Sequence, residues 1–370
     1  MAEPQNKLDV VADFSYESEN PDYNRAYKQW RRTNKAPYMY RYSGNPNEIT
    51  YVDGNAVPAR DAALTERTAL THCATLIGLG LLAYLVCELV GGTLLVGILR
   101  LCGAEVGLDF LSLSVRGEQW AVTAVRVSIN VMKYLLPAVL LLRLGKLPRR
   151  AAVPVRLCGL PETVIAVGAA AGIAGIYTLT AQDAGVNLAQ EIFSVPSRTG
   201  VMAYGLFDVL AVSALSELLL RGSVLPLLRQ FGDSFAIGMT AAAGFLFPNS
   251  LPDRISELLI GLASGYLLLR SGSFLKCVLL RAICSALCYA RIILIYATGR
   301  FPAWQYAMLL LSFGAVLCLF YVRLRKEHIR LKNRDTQLSE TRKFITITQC
   351  VTVLPWAGLS FLLMLFQVFF

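Results

Sequence analysis

Charged residues and histidine are scarce in this chain. Aspartate, glutamate, lysine and arginine make up 16% of its 370 residues, whereas 55% of the residues are hydrophobic. A soluble globular domain has about a quarter of its residues charged, so the composition excludes that class and indicates a polytopic membrane protein. The two histidines, His72 and His328, lie far apart in the sequence. No Cys-x-x-Cys pair occurs either, which excludes the common zinc and dithiol motifs.

The nine cysteines lie mostly in or beside apolar segments and are interpreted as small apolar side chains. Cys277, Cys284 and Cys288 share a helix face, but Arg281 on that face would repel a metal cation. The sequence therefore predicts no metal site and no cofactor.

Apolar runs of about 20 residues, the length that crosses a bilayer as a helix, predict an all-α bundle of about nine transmembrane helices. The predicted spans are 71–99, 120–142, 161–181, 201–220, 234–251, 255–269, 273–297, 303–322 and 346–369. The fifth and sixth are short and are separated by Pro252, so they are interpreted either as two spans or as one broken or re-entrant unit.

Basic residues crowd two connections, 143–156 and the loop 323–343, which are therefore predicted to be cytoplasmic. With nine spans, this places the N-terminus in the cytoplasm and the C-terminus outside, in the cytoplasmic membrane of a bacterium. The formal charge of +10 is then explained by topology and by anionic lipid headgroups, without a nucleic-acid partner.

The predicted organisation has four parts: a polar cytoplasmic N-terminal tail (1–67), N-terminal membrane helices (68–200), core helices (201–297) and C-terminal membrane helices (298–370). The tail has no short apolar segment typical of a cleaved signal peptide, and we expect it to be loosely ordered. Small residues in the third span, Gly168, Gly172 and Gly175, predict close contact with a neighbouring helix.

Glu217 and Arg221 stand in an otherwise apolar stretch of the fourth span. Charged side chains inside the membrane are costly, and they mark places where the bundle interior supplies partners. The four-residue spacing puts both on one helix face and predicts an intrahelical ion pair.

The second span also carries a polar stripe, formed by Arg126, Asn130 and Lys133. An α-helix rises about 1.5 Å per residue. On this count Lys133 and Glu217 lie at comparable depths in the membrane, and so do Arg126 and Asp208. With Glu88 of the first span as a further acid, the sequence predicts a polar network that links the first, second and fourth spans.

Three stretches in this region carry a family resemblance. Ser216-Glu217-Leu-Leu-Leu-Arg221-Gly222 resembles the Glu-Glu-x-x-x-Arg-Gly signature of the CPBP family of CAAX proteases and bacteriocin-processing proteins. In the family's order, 244–249 resembles its Phe-x-x-x-His segment and 261–274 its glycine-rich run, over roughly 213–290 in all. The resemblance implies a core bundle of membrane helices in which glutamate and histidine activate water and a second histidine and an asparagine stabilise the oxyanion.

The catalytic positions that this resemblance implies are replaced. Ser216 stands at the first glutamate, Asn249 and Arg281 at the two histidines, and Ser285 at the asparagine. Serine, asparagine and arginine cannot serve as general bases near neutral pH. Of the motif, Glu217 and Arg221 remain, so no intact catalytic site is predicted.

The leading hypothesis is a non-proteolytic protein that binds a transmembrane or lipidated partner as scaffold, adaptor or chaperone. The first alternative is an active endopeptidase in which Glu217 is the base and Asn249 holds the water. The second is an anion carrier or channel, suggested by Arg126, Lys133, Arg221 and Arg281. Arg281 is also interpreted as a partner for a carboxylate, a phosphate headgroup or Glu217 itself.

Overall fold

The computed structural model describes ten segments that make up most of the chain. They are 18–40, 49–52, 55–58, 62–109, 114–156, 159–181, 204–247, 251–298, 302–325 and 336–369. The helices in chain order are α1 Pro21–Thr33, α2 Ala62–Val86 continuing through Cys87–Gly91 and Gly92–Leu101, α3 Gln119–Leu144, α4 Arg149–Ala152, α5 Leu160–Thr180, α6 Tyr204–Arg229, α7 Asp233–Phe245, α8 Leu251–Ser271, α9 Phe274–Thr298, α10 Ala303–Arg325, α11 Glu340–Thr348 and α12 Val353–Phe369. Two short antiparallel hairpins complete the fold, β1 Ile49–Val52 with β2 Asn55–Pro58, and β3 Val106–Asp109 with β4 Ser114–Gly117.

Five helices in the described part of the chain are long and apolar enough to cross a membrane: α2, α3, α5, α6 and α10. The pair α11 and α12 adds a sixth if it forms one span, although it is bent by 81°. These helices confirm an all-α membrane protein that crosses the bilayer several times. The total of nine spans stays a prediction.

The described part of the predicted span 234–251 is the short helix α7. Helix α7 has 13 residues and rises about 20 Å, which is less than the hydrocarbon core of about 30 Å. It packs along the longer α8, and Pro252 stands at the start of that helix. The two helices therefore pack side by side, and the re-entrant interpretation of this region stays a prediction.

Small residues bring α5 and α10 into close contact, as the sequence predicts. A Cβ atom built on Gly314 of α10 would lie 2.7 Å from the backbone oxygen of Gly168. A Cβ atom on Gly175 would lie 2.8 Å from a side-chain carbon of Leu311. Glycine at these positions is what lets the two backbones approach one another.

Residues 18–40 are not the loosely ordered tail that the sequence predicts. One face of α1 places Tyr23, Tyr27 and Trp30 against the bundle, where each is at most 4% exposed. The Tyr27 hydroxyl donates to the Pro226 oxygen at 2.7 Å, and the Trp30 indole nitrogen donates to the Gly145 oxygen at 3.1 Å. Burial raises the pKa of Tyr27 because the phenolate would lose its water. Residues 18–40 are polar on average, but they include an amphipathic helix whose aromatic residues make the buried contacts.

The start of α1 is joined to the end of α8. The Asn20 side chain caps α1 by accepting from the backbone nitrogens of Asp22 and Tyr23, and its amide group donates to the Gly272 oxygen at 2.7 Å. Gly272 has a φ of +60°, and a Cβ atom there would lie 2.5 Å from that of Asn20. Glycine is therefore required both for the backbone turn and for the approach of Asn20.

The two basic connections lie at one end of the bundle. Lys343 of α11 donates to the Phe231 oxygen at 2.7 Å, and the neighbouring Gln230 side chain accepts from the Tyr40 backbone at 2.8 Å. Tyr38 in turn donates to the Leu144 oxygen at the end of α3. The N-terminal segment, the 143–150 region and the described part of the 323–343 loop therefore share one side of the protein.

Candidate functional site: a polar cavity between the helices

A polar cavity of about 340 Å³ opens between α3, α5, α6, α8 and α9. Tyrosines from four of these helices and several serines line it together with the charged residues. Its charged lining residues are Lys133, Asp208, Asp253, Glu257, Arg281 and Arg291. Such polar groups cannot be satisfied by lipid, so this interior is where partners or ligands are expected.

Arg281 of α9 is held between two carboxylates. Its Nε atom donates to Oε1 of Glu217 at 2.7 Å, and its two terminal nitrogens donate to the two oxygens of Glu257 at 2.5 and 2.6 Å. This fork geometry is the strongest form of an arginine–carboxylate contact. Pairing with Glu217 was one of the three roles that the sequence left open for Arg281, and the structure confirms it.

Arg221 completes the cluster from the other side of Glu217. Its Nε atom lies 3.4 Å from Oε2 of Glu217, which confirms the predicted pair four residues apart, and both side chains are fully buried. The guanidinium fits because Gly261 of α8 has no side chain: a Cβ atom there would lie 2.9 Å from Nη2 of Arg221. Two guanidiniums and two carboxylates, all within the bundle, thus neutralise one another.

The local structure of α6 sets the direction of these side chains. After the α-helical turn Ser213–Glu217, the helix is π-helical over Leu218–Val224. Pro226 follows and cannot donate a backbone hydrogen bond, so the regular ladder does not run through this point. Wide π-helical turns are frequent at functional sites.

Lys133 pairs with Glu88 at 2.8 Å, so the predicted meeting of Lys133 with Glu217 is wrong. A π-helical turn at Cys87–Gly91 of α2 carries Glu88, and the rings of Tyr84 and Tyr134 lie within 6 Å of the Lys133 nitrogen. The first and second spans are thus linked as predicted. Glu217 of the fourth span is instead engaged by α9, because the rotation of each helix, and not depth alone, decides which charges meet.

Asp208 of α6 occupies another part of the cavity wall. The Tyr289 hydroxyl donates to its Oδ2 atom at 3.2 Å. Nearby, the Asn130 amide donates to the Tyr204 hydroxyl at 3.2 Å. Among the described residues, no ion pair joins Asp208 to Arg126, although the two were expected at the same depth.

The motif positions fall into three groups. Arg281 and Ser285 line the cavity. Ser216 is buried behind the wall, and its hydroxyl donates to the Ser213 oxygen at 3.2 Å. Asn249 lies outside the described residues. His72 is exposed on α2, and no cluster of three or more potential metal ligands occurs in the part of the chain that the structure describes.

Sequence reasoning missed Glu257, the residue that makes the two shortest contacts with Arg281. The sequence did contain a signal for it. Glu257 lies in the predicted span 255–269, and a charged side chain inside a membrane helix needs a partner, as was argued for Glu217. It also missed Tyr289. An aromatic residue is ordinary in an apolar helix, so the sequence gives no sign that this one lines a polar cavity.

Comparisons of the chain with protein-family models, with curated protein sequences and with solved structures found no match. A functional conclusion therefore depends on the cavity and its charges.

Proposed function

We propose that this protein is a non-proteolytic member of the CPBP type that binds a membrane-embedded or lipidated partner as scaffold or chaperone. The observation that carries this proposal is the position of Arg281, whose guanidinium contacts both Glu217 and Glu257. The helix bundle encloses a cavity, while Glu217, the carboxylate that would activate water, is engaged by Arg281.

Glu217 is poorly suited to be a general base. A base must reach the proton that it removes and must be free to accept it. Here one carboxylate oxygen accepts from Arg281 and the other faces Arg221, and the side chain is fully buried.

The cavity itself is suited to binding. Its volume of about 340 Å³ lies within the range of small-ligand pockets, and several of its walls offer hydrogen-bonding groups at the depth of the membrane helices. The lipid chains outside cannot use these groups, whereas the polar portion of a partner can.

The same charge pairing weakens the anion-carrier alternative. Three of the four cations that suggested it, Lys133, Arg221 and Arg281, each have a carboxylate within 3.5 Å. An anion would have to compete with these internal partners for every one of the three cations. An attractive site for anions needs a cation that is not already neutralised.

The proposed location is the cytoplasmic membrane of a bacterium, with the N-terminus in the cytoplasm and the C-terminus outside. The common position of residues 18–40, the 143–150 region and 336–343 at one end of the bundle supports this orientation. Basic segments at one end are expected on the cytoplasmic side.

A crosslinking assay tests the proposal. A photoreactive amino acid replaces Ser285 in the cavity or, as a control, Leu319 on the outer face of α10, and the protein is reconstituted with a prenylated synthetic peptide. We expect the peptide to be captured intact from position 285 and not from 319. Capture from neither position would contradict binding in the cavity.

A peptidase assay tests whether the protein cleaves peptides. Reconstituted protein is incubated with prenylated and membrane-spanning peptides beside a Glu217→Gln variant, and no cleavage is expected from either. Cleavage by the wild type that is lost in Glu217→Gln would overturn the proposal in favour of an endopeptidase. A variant carrying Ser216→Glu, Asn249→His, Arg281→His and Ser285→Asn shows whether the frame can regain activity.

A further inference from the structure

We infer that the cavity recognises an alkylammonium group and that Asp208 is the counter-ion for it. The inference rests on the proposed function, because it takes the same cavity as the binding site and names the chemistry of what enters it.

Asp208 contributes a negative charge to the cavity wall, and its hydrogen-bond partner is uncharged. Lys133 is engaged by Glu88, and Arg281 is engaged by Glu217 and Glu257. Asp208, in contrast, has a tyrosine hydroxyl as its contact, and among the described residues no lysine, arginine or histidine nitrogen lies within ion-pair distance of it. A carboxylate inside the membrane is stabilised by a cation, so a positively charged ligand gains most at this position.

The groups around Asp208 suit an ammonium in particular. Tyr204 stands one helical turn before Asp208, and Tyr289 holds its carboxylate, so aromatic rings flank the carboxylate. Aromatic faces attract ammonium and quaternary ammonium groups, and an acid beside them supplies the charge. These rings would stabilise a small inorganic cation less than an ammonium group, because such a cation prefers a shell of oxygen ligands.

Ser256 provides a second, independent observation. Its side chain lines the cavity, is 8% exposed, and its hydroxyl oxygen has no hydrogen-bond partner among the described residues. A buried hydroxyl without a partner costs free energy, which a ligand donor can recover. An alkylammonium carries up to three N–H donors, which are the kind of group that this oxygen lacks.

The size of the cavity limits what enters. A volume of about 340 Å³ is at the lower end of the range for small-molecule pockets. It accommodates an amine with a short alkyl chain or a lipid headgroup. The ammonium has two possible sources, the ethanolamine or choline headgroup of a bilayer lipid and a free organic amine.

The experiment measures ammonium binding directly. The purified full chain is placed in nanodiscs of phosphatidylglycerol, which contains no amine, and is titrated with butylammonium and with tetramethylammonium by calorimetry. We expect saturable binding to the wild type and a loss of about tenfold or more in affinity in Asp208→Asn. Glu105→Gln, which removes an exposed acid outside the cavity, should bind like the wild type.

A second arm separates the two sources. The protein is purified from bilayers that contain phosphatidylethanolamine or phosphatidylcholine, and retained lipids are counted by native mass spectrometry. Retention of either lipid by the wild type and not by Asp208→Asn assigns the site to a headgroup. Binding of the free amines without lipid retention assigns it to a soluble amine.

A conservative variant covers the possibility that Asp208→Asn does not fold. Tyr289→Phe leaves the carboxylate and removes its hydroxyl donor, so it should bind butylammonium at least as tightly as the wild type. Equal binding by the wild type and a folded Asp208→Asn, or no binding of any amine or lipid, would overturn the inference. If the prenylated peptide is still captured from position 285 in that case, the proposed function stands and the ammonium assignment alone has failed.

Discussion

The Nε atom of Arg281 lies 2.7 Å from Oε1 of Glu217, although 64 residues separate them in the sequence. This contact joins α9 to α6 and occupies one oxygen of the buried Glu217 carboxylate. It also explains how Arg281 is tolerated inside the bundle, because Glu257 supplies a second carboxylate to the same guanidinium.

We expect Arg281→Gln to lower the free energy of unfolding by about 3–5 kcal/mol, because it removes the ion-pair partner of Glu257 and one of the two partners of the buried Glu217. Chemical denaturation in detergent measures this loss. Adding Glu257→Gln should restore part of the stability, whereas Arg149→Gln, at an exposed position, should change it by about 0.5 kcal/mol or less. Equal loss at the two arginines would contradict the assigned contact.

The Lys133–Glu88 pair predicts a specific rescue. Lys133→Glu alone places two acids together and should destabilise the protein, and adding Glu88→Lys should recover about 1–3 kcal/mol of coupling energy. The matched control is Lys133→Glu with Glu217→Lys, which should give no recovery. Thermal unfolding of the wild type and these three variants in one detergent distinguishes the two pairings, and rescue through Glu217 would show that the structure assigns the wrong partner.

The docking of α1 depends on hydrogen bonds from its aromatic face. Tyr27→Phe leaves the Pro226 oxygen without its donor and should cost about 1 kcal/mol or somewhat more. Faster proteolysis within residues 18–40 would report the loosened helix. Gln29→Ala, on the exposed face of the same helix, should leave the cleavage rate unchanged, and equal rates in both variants would argue against this docking mode.

The contact between α5 and α10 predicts that Gly314→Ala is destabilising. The new methyl group would overlap the Gly168 oxygen, and the overpacking should cost about 1–3 kcal/mol. Gly97→Ala in α2 is the control, since nothing lies within 4 Å of a Cβ atom there. Alanine at that position should be neutral or stabilising by up to about 1 kcal/mol. Unfolding of both variants in the same detergent checks the difference.

Sequence periodicity and composition were sufficient for what happens within one helix. The long apolar runs predict α2, α3, α5, α6 and α10, because backbone groups in lipid must be satisfied internally. The four-residue spacing of Glu217 and Arg221 predicts their pair, and the small residues around Gly168 predict a close helix contact.

The N-terminal segment marks the limit of composition as a guide. Residues 18–40 are polar on average, yet Tyr23, Tyr27 and Trp30 recur on one face of α1 and are buried. The spacing was present in the sequence, but an average over the segment conceals it. Its docking sites are backbone oxygens at helix ends, and a sequence does not reveal which helix ends gather at one place.

The sequence by itself determined the class of protein, the main membrane helices and the presence of charges that need partners within the membrane. Tertiary structure alone decided that Lys133 meets Glu88, that Arg281 bridges Glu217 and Glu257, and that Asp208 faces a cavity. The physical reason is that spacing along a chain sets which residues share a helix face, through the fixed rise and turn of the helix. Which faces meet depends on the rotation and packing of helices that are distant in sequence, and those are set by the whole bundle at once.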